Sequence, residues 1–404
     1  MIGSIIVVGG GIAGVSTAAA LRSGGFTGDL ILVEAGDLPY DRPPLSKEFL
    51  LGTKNHADLA LQAPQWYDDN KIRLITGRRA VALRTATGRV ELSDGTELTA
   101  DRVVLATGGQ AARPAIPGLD GPRIHVLRTI EDAEVLRAAL APGARLLVVG
   151  AGLIGAEIAS TAVDLGCDVV IADPVSPPLA AALGPEIAEW LHGRHALRGV
   201  RTVTAAIGSA RDIGHSVAVE LPGGDGGEHF DAVVLGVGMR PDIALAEAAG
   251  LKVDRGIVVD PTRTTSNPAV LAVGDPARIR HDGVVRARTE HWDAARHDGM
   301  VAAATLLGAT PPADPAPWFW TDRHGLHVEA IGHLADADRT VLRGTIDAAP
   351  FSAFGLAGDR VVAAVAVNDS TAVRAARRLI ERRTTVDPDR LADLGTELRA
   401  LLRG

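Results

Sequence analysis

Two glycine-rich segments have the residue types and the spacing that bind the pyrophosphate of a dinucleotide. They read Gly9-Gly10-Gly11-Ile12-Ala13-Gly14 and Gly150-Ala151-Gly152-Leu153-Ile154-Gly155. In this pattern the first glycine allows a tight turn, the second lets the backbone approach a pyrophosphate, and the third lets a helix pack closely on a strand. The helix that begins there presents N–H groups and partial positive charge to the phosphates. The two fingerprints therefore predict two dinucleotide sites.

A carboxylate follows each fingerprint at the end of the next apolar run, Glu34 in the first copy and Asp173 in the second. A carboxylate in this position accepts a hydrogen bond from a ribose 2′-OH and repels a 2′-phosphate. Because no arginine occurs between Asp173 and Arg194, we expect the second site to prefer NADH to NADPH. A helix-capping or solvated acid is the alternative, and it fits less well with the end of a strand. Strand, glycines, helix, strand and acid, in that order and twice, make a specific signal.

The elements around the fingerprints predict an α/β chain. Each half contains a βαβ unit followed by a β-rich stretch, which indicates two Rossmann-like dinucleotide-binding domains followed by a C-terminal α+β domain. We expect the first domain to comprise residues 1–112 and 243–315, the second 113–242, and the third 316–404. Helices are predicted over 293–307 and 371–383, and residues 391–402 are predicted to form a short amphipathic helix.

Composition excludes several classes of function. The 404 residues are 47% apolar and carry a net charge of −8, so nucleic-acid binding is not expected. We predict no membrane span, since there is no apolar run of about 18 residues, and a cytoplasmic protein, since the first strand begins at Ile5. A single cysteine, Cys167, excludes a redox dithiol. The histidines show no ligand spacing, so no metal is predicted.

Further motifs occur in order along nearly the whole chain. They are Leu38–Lys47 (LPYDRPPLSK), Ala106–Gly108 (ATG), Leu127–Thr129 (LRT), Gly236–Asp242 (GVGMRPD), Ala272–Asp275 (AVGD), Arg288–Trp292 (RTEHW) and Pro317–Asp322 (PWFWTD). Together they resemble the single-chain, FAD-containing, NADH-dependent ferredoxin reductases of bacterial oxygenase systems. Those enzymes have a glutathione-reductase-like fold. The segment Pro174–Pro178 departs from the pattern, since many relatives carry arginines there.

The resemblance implies a role for each matching residue. The first fingerprint, with Ala13 and Glu34, would bind the ADP half of FAD. The flavin and its phosphates would be contacted by Arg42, Lys47, Val81, Ala106, Thr107, Gly108, Arg128, Gly274, Asp275, Trp292 and Trp320. For Trp320 a contact with the flavin is favoured over packing in the core, and for Trp318 these two interpretations are weighted equally. The second fingerprint, with Asp173 and Gly238, would bind NADH, and Glu157 would contact its carboxamide.

The implied reaction passes a hydride from NADH to the flavin and then single electrons to a [2Fe–2S] ferredoxin, which serves a haem-thiolate monooxygenase or a Rieske dioxygenase. Lys47 would stabilise the reduced flavin and Glu157 would hold Lys47; the alternative is two ordinary surface charges. An acidic ferredoxin would dock on a basic face drawn from Arg278, Arg280, Arg286, Arg288, Arg374, Arg377 and Arg378. We expect a monomer or weak homodimer. A rubredoxin, quinone or oxygen reductase, or a signalling flavoprotein of the apoptosis-inducing-factor type, remains an alternative.

Overall fold

The computed structural model describes residues 2–222 and 227–403, which fall into two units. The first unit comprises the chain up to Arg42, His56–Gln110 and Met239–Asp314. The second comprises Pro43–Asn55, Ala111–Gly238 and the chain from Pro315 onward. Within the described part of the chain, none of the helices has the length and apolar character that crossing a membrane requires.

A five-stranded parallel sheet forms the centre of the first unit. Its strands lie in the order Val270–Ala272, Arg102–Leu105, Ser4–Val8, Asp29–Val33 and Ile72–Ile75. Apolar side chains dominate these strands because both faces of the sheet are covered. The helix Ile12–Ser23 follows the first strand and packs against Trp292–Leu307. Strands Ala80–Arg84, Arg89–Leu92 and Glu97–Thr99 form an antiparallel sheet. In a mixed sheet, Ala277–His281 pairs parallel with Ile257–Val259 and antiparallel with Val284–Val285. The other elements are the strand pair Gly109–Ala111 and Met239–Pro241, the helices Pro64–Asp69 and Ala244–Ala248, and the 3-10 turn Ala57–Leu59.

The second unit repeats this arrangement. Its parallel sheet has the order Arg201–Thr204, Asp168–Asp173, Arg145–Val149, Ala232–Leu235 and Ile124–His125, and its antiparallel sheet contains Ala210–Asp212, Val217–Val219 and Glu228–Phe230. The helices are Glu48–Leu51, Ile130–Ala139, Leu153–Asp164, Ala180–Leu183 and Pro185–Leu197, with a 3-10 turn at Pro43–Ser46. Leu153–Asp164 follows the glycines as Ile12–Ser23 does in the first unit.

A five-stranded antiparallel sheet completes the second unit. Its order is Trp318–Arg323, Leu326–Ile331, Arg360–Val367, Ala348–Ala357 and Arg339–Thr345. The helix Ser370–Arg382 covers one face with Val373, Ala376 and Leu379. The short helix Pro388–Ala392 and the 3-10 turns Leu334–Asp336 and Leu398–Arg403 lie in the same part of the chain.

The predicted fold class is confirmed, since both fingerprints lie in parallel sheets of the same strand order and an antiparallel sheet follows. The single helix predicted over 391–402 is wrong. The Asp393 carboxylate accepts hydrogen bonds from the Gly395 N–H at 3.0 Å and the Thr396 hydroxyl at 2.8 Å. Local bonds of this kind favour a turn over a helix, so the segment is divided in two.

Candidate functional site

In the first fingerprint, the outer glycines are enclosed by backbone and the middle glycine faces a single flexible side chain. A Cβ on Gly9 would overlap the carbonyl of Ala106, and one on Gly14 would overlap the carbonyl of Gly9. Gly11, by contrast, faces only the guanidinium of Arg42, 3.0 Å from the position a Cβ would take. Gly11 also begins the helix Ile12–Ser23 without a side-chain cap. The helix end is therefore open to an anionic group, which suits the pyrophosphate of FAD.

Two further features of the first unit fit a bound dinucleotide. The carboxylate of Glu34 accepts hydrogen bonds from the N–H groups of Gly10 at 2.6 Å and Gly36 at 2.8 Å, which hold it beside the fingerprint. Arg42, whose Nη1 lies next to Gly11, also has a buried Nε without a hydrogen-bond partner among the described residues. A buried guanidinium N–H without a partner is costly, and a phosphate oxygen would satisfy it.

The other predicted flavin residues of the first unit differ in what they contact, and Gly274 lies against the same helix. A Cβ on Gly274 would lie 2.9 Å from the Cβ of Ala13, so the Gly274–Asp275 segment contacts the fingerprint helix. The Gly274 N–H donates to Asp298 at 3.0 Å, and Asp298 is paired with the buried Arg263 at 2.7 Å. The Trp292 indole donates to Asp41 at 2.8 Å, next to Arg42. The Thr107 hydroxyl donates to the backbone carbonyl of Asp242 at 2.7 Å, and the next residue, Gly108, has a positive φ. Val81 lies on the antiparallel sheet and is half exposed.

The second fingerprint has the same geometry. Gly150 and Gly155 have no space for a Cβ, whereas nothing lies within 4 Å of the Cβ position at Gly152. Asp173 accepts hydrogen bonds from the N–H groups of Ala151 at 2.7 Å and Val175 at 2.8 Å. Leu153 is partly buried, Ile154 is exposed, and Gly238 has a positive φ. Arg128, predicted to contact the flavin, precedes the helix Ile130–Ala139, and its backbone N–H donates to Asp132.

The structure brings Lys47 and Glu157 together within the second unit. The ammonium of Lys47 lies 3.0 Å from Glu157 Oε2, and the Glu157 side chain is only 3% exposed. Glu157 also accepts hydrogen bonds from the Ser46 hydroxyl at 2.5 Å, from the Thr321 hydroxyl at 2.9 Å and from the Asp322 N–H at 3.1 Å. Four donors around one buried carboxylate compensate its desolvation. Glu157 is thus a fixed anion that orients Lys47.

The hairpin of Trp318–Arg323 and Leu326–Ile331 adds charged groups beside this pair. Asp322 Oδ2 lies 3.9 Å from the Lys47 ammonium, and its other oxygen lies 2.6 Å from Nδ1 of His327. Nε2 of His327 lies 3.3 Å from Glu329, which accepts from the Trp318 indole at 3.0 Å. Trp318 stacks on Trp320 with ring centroids 5.1 Å apart. One face of the hairpin therefore links Lys47 to the two tryptophans.

A group of basic residues contacts the helix that carries Glu157; within this group, Arg323 and His195 are buried and His324 is partly buried. A hydrogen bond of 2.8 Å joins Nε2 of His324 to Nδ1 of His195. The backbone N–H of His324 donates to the Ser160 hydroxyl at 2.7 Å. Burial lowers the pKa of His324 to about 4 and lowers the pKa of His195 much further. Burial also lowers the pKa of Arg323 to about 10, against the opposing charge of Glu157. No role was predicted for Ser46, although it lies within the motif Leu38–Lys47, and Arg323, His324 and His327 lie outside every motif.

Comparison with known proteins identifies the family. A family model described as pyridine nucleotide-disulphide oxidoreductase matches residues 3–299, and a reductase C-terminal model matches residues 318–402. The chain belongs to the pyridine nucleotide-disulphide oxidoreductase family. Members of this family use FAD and a nicotinamide cofactor, in agreement with the two open fingerprints. The single cysteine, Cys167, is buried, and burial raises the pKa of its thiol.

Similar proteins within the family span the whole chain. The ferredoxin–NAD(+) reductase component of an anthranilate 1,2-dioxygenase system from Burkholderia cepacia is 39% identical over 98% of both chains. Putidaredoxin reductase of Pseudomonas putida is 35% identical over 99% of this chain and 96% of its own. A solved covalent putidaredoxin reductase–putidaredoxin complex matches with 33% identity and a TM-score of 0.88, covering 99% of this chain and 98% of that one. The resemblance indicated by the motifs is confirmed.

Proposed function

We propose that the chain is an NADH-dependent ferredoxin reductase that supplies electrons to a haem-thiolate monooxygenase or a Rieske dioxygenase through a [2Fe–2S] ferredoxin. The observation that carries the proposal is the pair of fingerprints, each with a middle glycine that leaves the helix end open and a carboxylate fixed by two N–H groups. FAD, when bound, accepts a hydride and releases electrons one at a time. The division into domains at residues 1–112 with 243–315, 113–242 and 316–404 is part of the proposal.

The chain's own residues have distinct tasks in this proposal. The first fingerprint, Glu34 and Arg42 hold FAD, and the second fingerprint and Asp173 hold NADH. Lys47 supplies a positive charge that stabilises negative charge developing during hydride transfer, and Glu157 orients Lys47. Fixed charges in a water-poor site require little reorganisation, so they stabilise a transition state more than mobile ones do. Trp292 and Trp320 shield the flavin.

The ferredoxin is proposed to dock through arginines of the helix Ser370–Arg382. Arg374 and Arg378 are exposed, and Arg377 lies over the ring of Trp318 with 5.6 Å to its centroid. The arginines between positions 278 and 288 are less exposed to a partner, since Arg278 is buried and paired with Asp254 at 2.9 Å. In the same group, Arg280 is half-buried, Arg286 donates to His281, and Arg288 is paired with Glu290.

Anaerobic stopped-flow absorption near 450 nm tests the proposal. The purified protein with its flavin is mixed with NADH, with NADPH and then with candidate [2Fe–2S] ferredoxins. Rapid bleaching by NADH, slow bleaching by NADPH and reoxidation by a ferredoxin are expected. A flavin that NADH does not bleach would contradict the proposal, and reoxidation by rubredoxin or quinone alone would favour the alternative acceptors.

A further inference from the structure

Lys47 lies between two carboxylates that differ in how firmly they are held. Its ammonium is 3.0 Å from Glu157 and 3.9 Å from Asp322. Glu157 is fixed by three other donors, whereas the side chain of Asp322 is 38% exposed and its hydrogen bond at 2.6 Å goes to His327. The balance between the two carboxylates therefore depends on how much of the Asp322 charge is compensated by His327.

His327 can carry that compensation because each of its ring nitrogens faces a carboxylate. Nδ1 lies 2.6 Å from Asp322, and Nε2 lies 3.3 Å from Glu329. An imidazolium can donate to both carboxylates, whereas a neutral imidazole can donate to only one. The ring is 40% exposed, so protons can reach it from solvent.

We propose that His327 is a positioning residue that determines whether the Lys47 ammonium lies closer to Glu157 or to Asp322. With a proton on both ring nitrogens, His327 neutralises Asp322 and leaves the Lys47 ammonium with Glu157. Without that charge, Asp322 draws the ammonium towards itself. The consequence for hydride transfer rests on the proposed function, but the exchange of Lys47 between carboxylates does not.

Charged groups of the second unit connect Lys47 to His327. Glu157 of the helix Leu153–Asp164 and Asp322 of Trp318–Arg323 face Lys47, and Asp322 and Glu329 face His327. Arg323 interacts with Glu157, and Arg377 of Ser370–Arg382 lies over Trp318, which donates to Glu329. The neighbouring His195 and His324 do not titrate between pH 5.5 and 8.5, because burial lowers the pKa of both well below this range. These two imidazoles therefore keep one charge state over the range in which Lys47 is probed, and the His327 variants test the remaining imidazole of the hairpin directly.

Competitive acetylation measures the state of Lys47 without depending on activity. The chain has lysines only at positions 47, 54, 71 and 252, so peptide mass spectrometry resolves each amine and the exposed Lys71 and Lys252 are internal references. The holoprotein is pulsed with acetic anhydride at several values of pH between 5.5 and 8.5. The ratio of Lys47 to reference reactivity is expected to fall about 3- to 10-fold with rising pH, because losing the His327 charge favours the ammonium form of Lys47.

Three variants decide the question. His327→Asn keeps a donor at the position of Nδ1 and cannot carry a charge, so the ratio should become independent of pH. His327→Gln is the second variant, in case His327→Asn folds poorly. His333→Asn changes an exposed histidine of the same domain and should keep the wild-type profile. The same pH dependence in wild type and in a folded His327 variant would overturn the proposal.

Stopped-flow reduction separates this inference from the proposed function. If NADH bleaches the flavin, its rate should vary with pH in wild type and be flat in His327→Asn, with little change in the KM for NADH. If NADH does not bleach the flavin at any pH, the proposed function fails, while the acetylation profile still decides whether His327 controls Lys47.

Discussion

The carboxylate of Asp173 accepts a hydrogen bond of 2.7 Å from the backbone N–H of Ala151, inside the second fingerprint. The first fingerprint contains the same bond, from Gly10 to Glu34 at 2.6 Å. In both, the second carboxylate oxygen accepts from an N–H two residues further along. Each carboxylate is thus held beside its fingerprint, at the position where the sequence pattern predicts a contact with a ribose 2′-OH.

Replacing Asp173 should change the cofactor preference. In Asp173→Ala/Val175→Arg the anion is removed and an exposed position supplies a guanidinium for a 2′-phosphate. We expect the ratio of kcat/KM for NADH to that for NADPH to fall about 10- to 100-fold, since a hydrogen bond to a charged group contributes roughly 1.5–3 kcal/mol. Val175→Arg alone, with Asp173 in place, should shift the ratio much less. An unchanged ratio in the double variant would contradict the role given to Asp173.

Removing the charge of Lys47 should slow hydride transfer more than it weakens NADH binding. For Lys47→Met we expect single-turnover flavin reduction to be at least about 10-fold slower, because a fixed charge lost from a water-poor site raises the barrier. The three remaining donors to Glu157 should keep the protein folded. Lys252→Met is the matched control at an exposed lysine. Equal rates of flavin reduction in Lys47→Met and wild type would contradict the proposed role of Lys47 in hydride transfer.

The buried histidines predict a loss of stability in mild acid. Burial lowers the pKa of His324 to about 4 and that of His195 further, whereas both are near 6.5 in an unfolded chain. The unfolded state therefore binds more protons below pH 6.5, so the free energy of unfolding is greatest above that pH. Each histidine should lower it by up to about 1.4 kcal/mol per pH unit between pH 6.5 and 4.

Urea unfolding at pH 7, 6 and 5 measures this dependence. His324→Asn should reduce the slope of unfolding free energy against pH, and His333→Asn, at an exposed site, should not. A slope that is the same in His324→Asn and wild type would show that other groups cause the acid sensitivity.

Local sequence signals predicted the parts of this molecule that depend on local backbone geometry. The two fingerprints require glycines at positions where a Cβ would overlap a carbonyl, so the residue types reveal the turn. The hairpin turn between Arg323 and Leu326 was not predicted, although Gly325 is a residue type that tolerates the positive φ found at both turn positions. The strand Ala348–Ala357 has no local sequence signal, because its alanines and proline have low strand propensity. It forms because it pairs with strands on both sides.

The site was predictable only where one residue type in a motif determines it. Lys47 and Glu157 were paired through the resemblance, but nothing in the spacing placed Thr321 and Asp322 on the same carboxylate. Those contacts depend on how the helix Leu153–Asp164 packs against the strand Trp318–Arg323, which lies far away in the sequence. Packing between distant segments has no short-range signal.

Reversing the exposed charges of the helix Ser370–Arg382 should weaken ferredoxin recognition and leave NADH oxidation intact. In Arg374→Glu/Arg378→Glu the KM for an acidic [2Fe–2S] ferredoxin should rise roughly 10-fold or more at low salt, because complementary charge increases the association rate. The difference from wild type should shrink at about 1 M salt, where charges more than about 3 Å apart are screened. Arg79→Glu/Arg84→Glu makes the same change of net charge at exposed positions of the other unit. If that control raises the KM equally, net charge rather than this helix governs docking; if only the helix variant does so while flavin reduction by NADH is unchanged, the helix is the docking face.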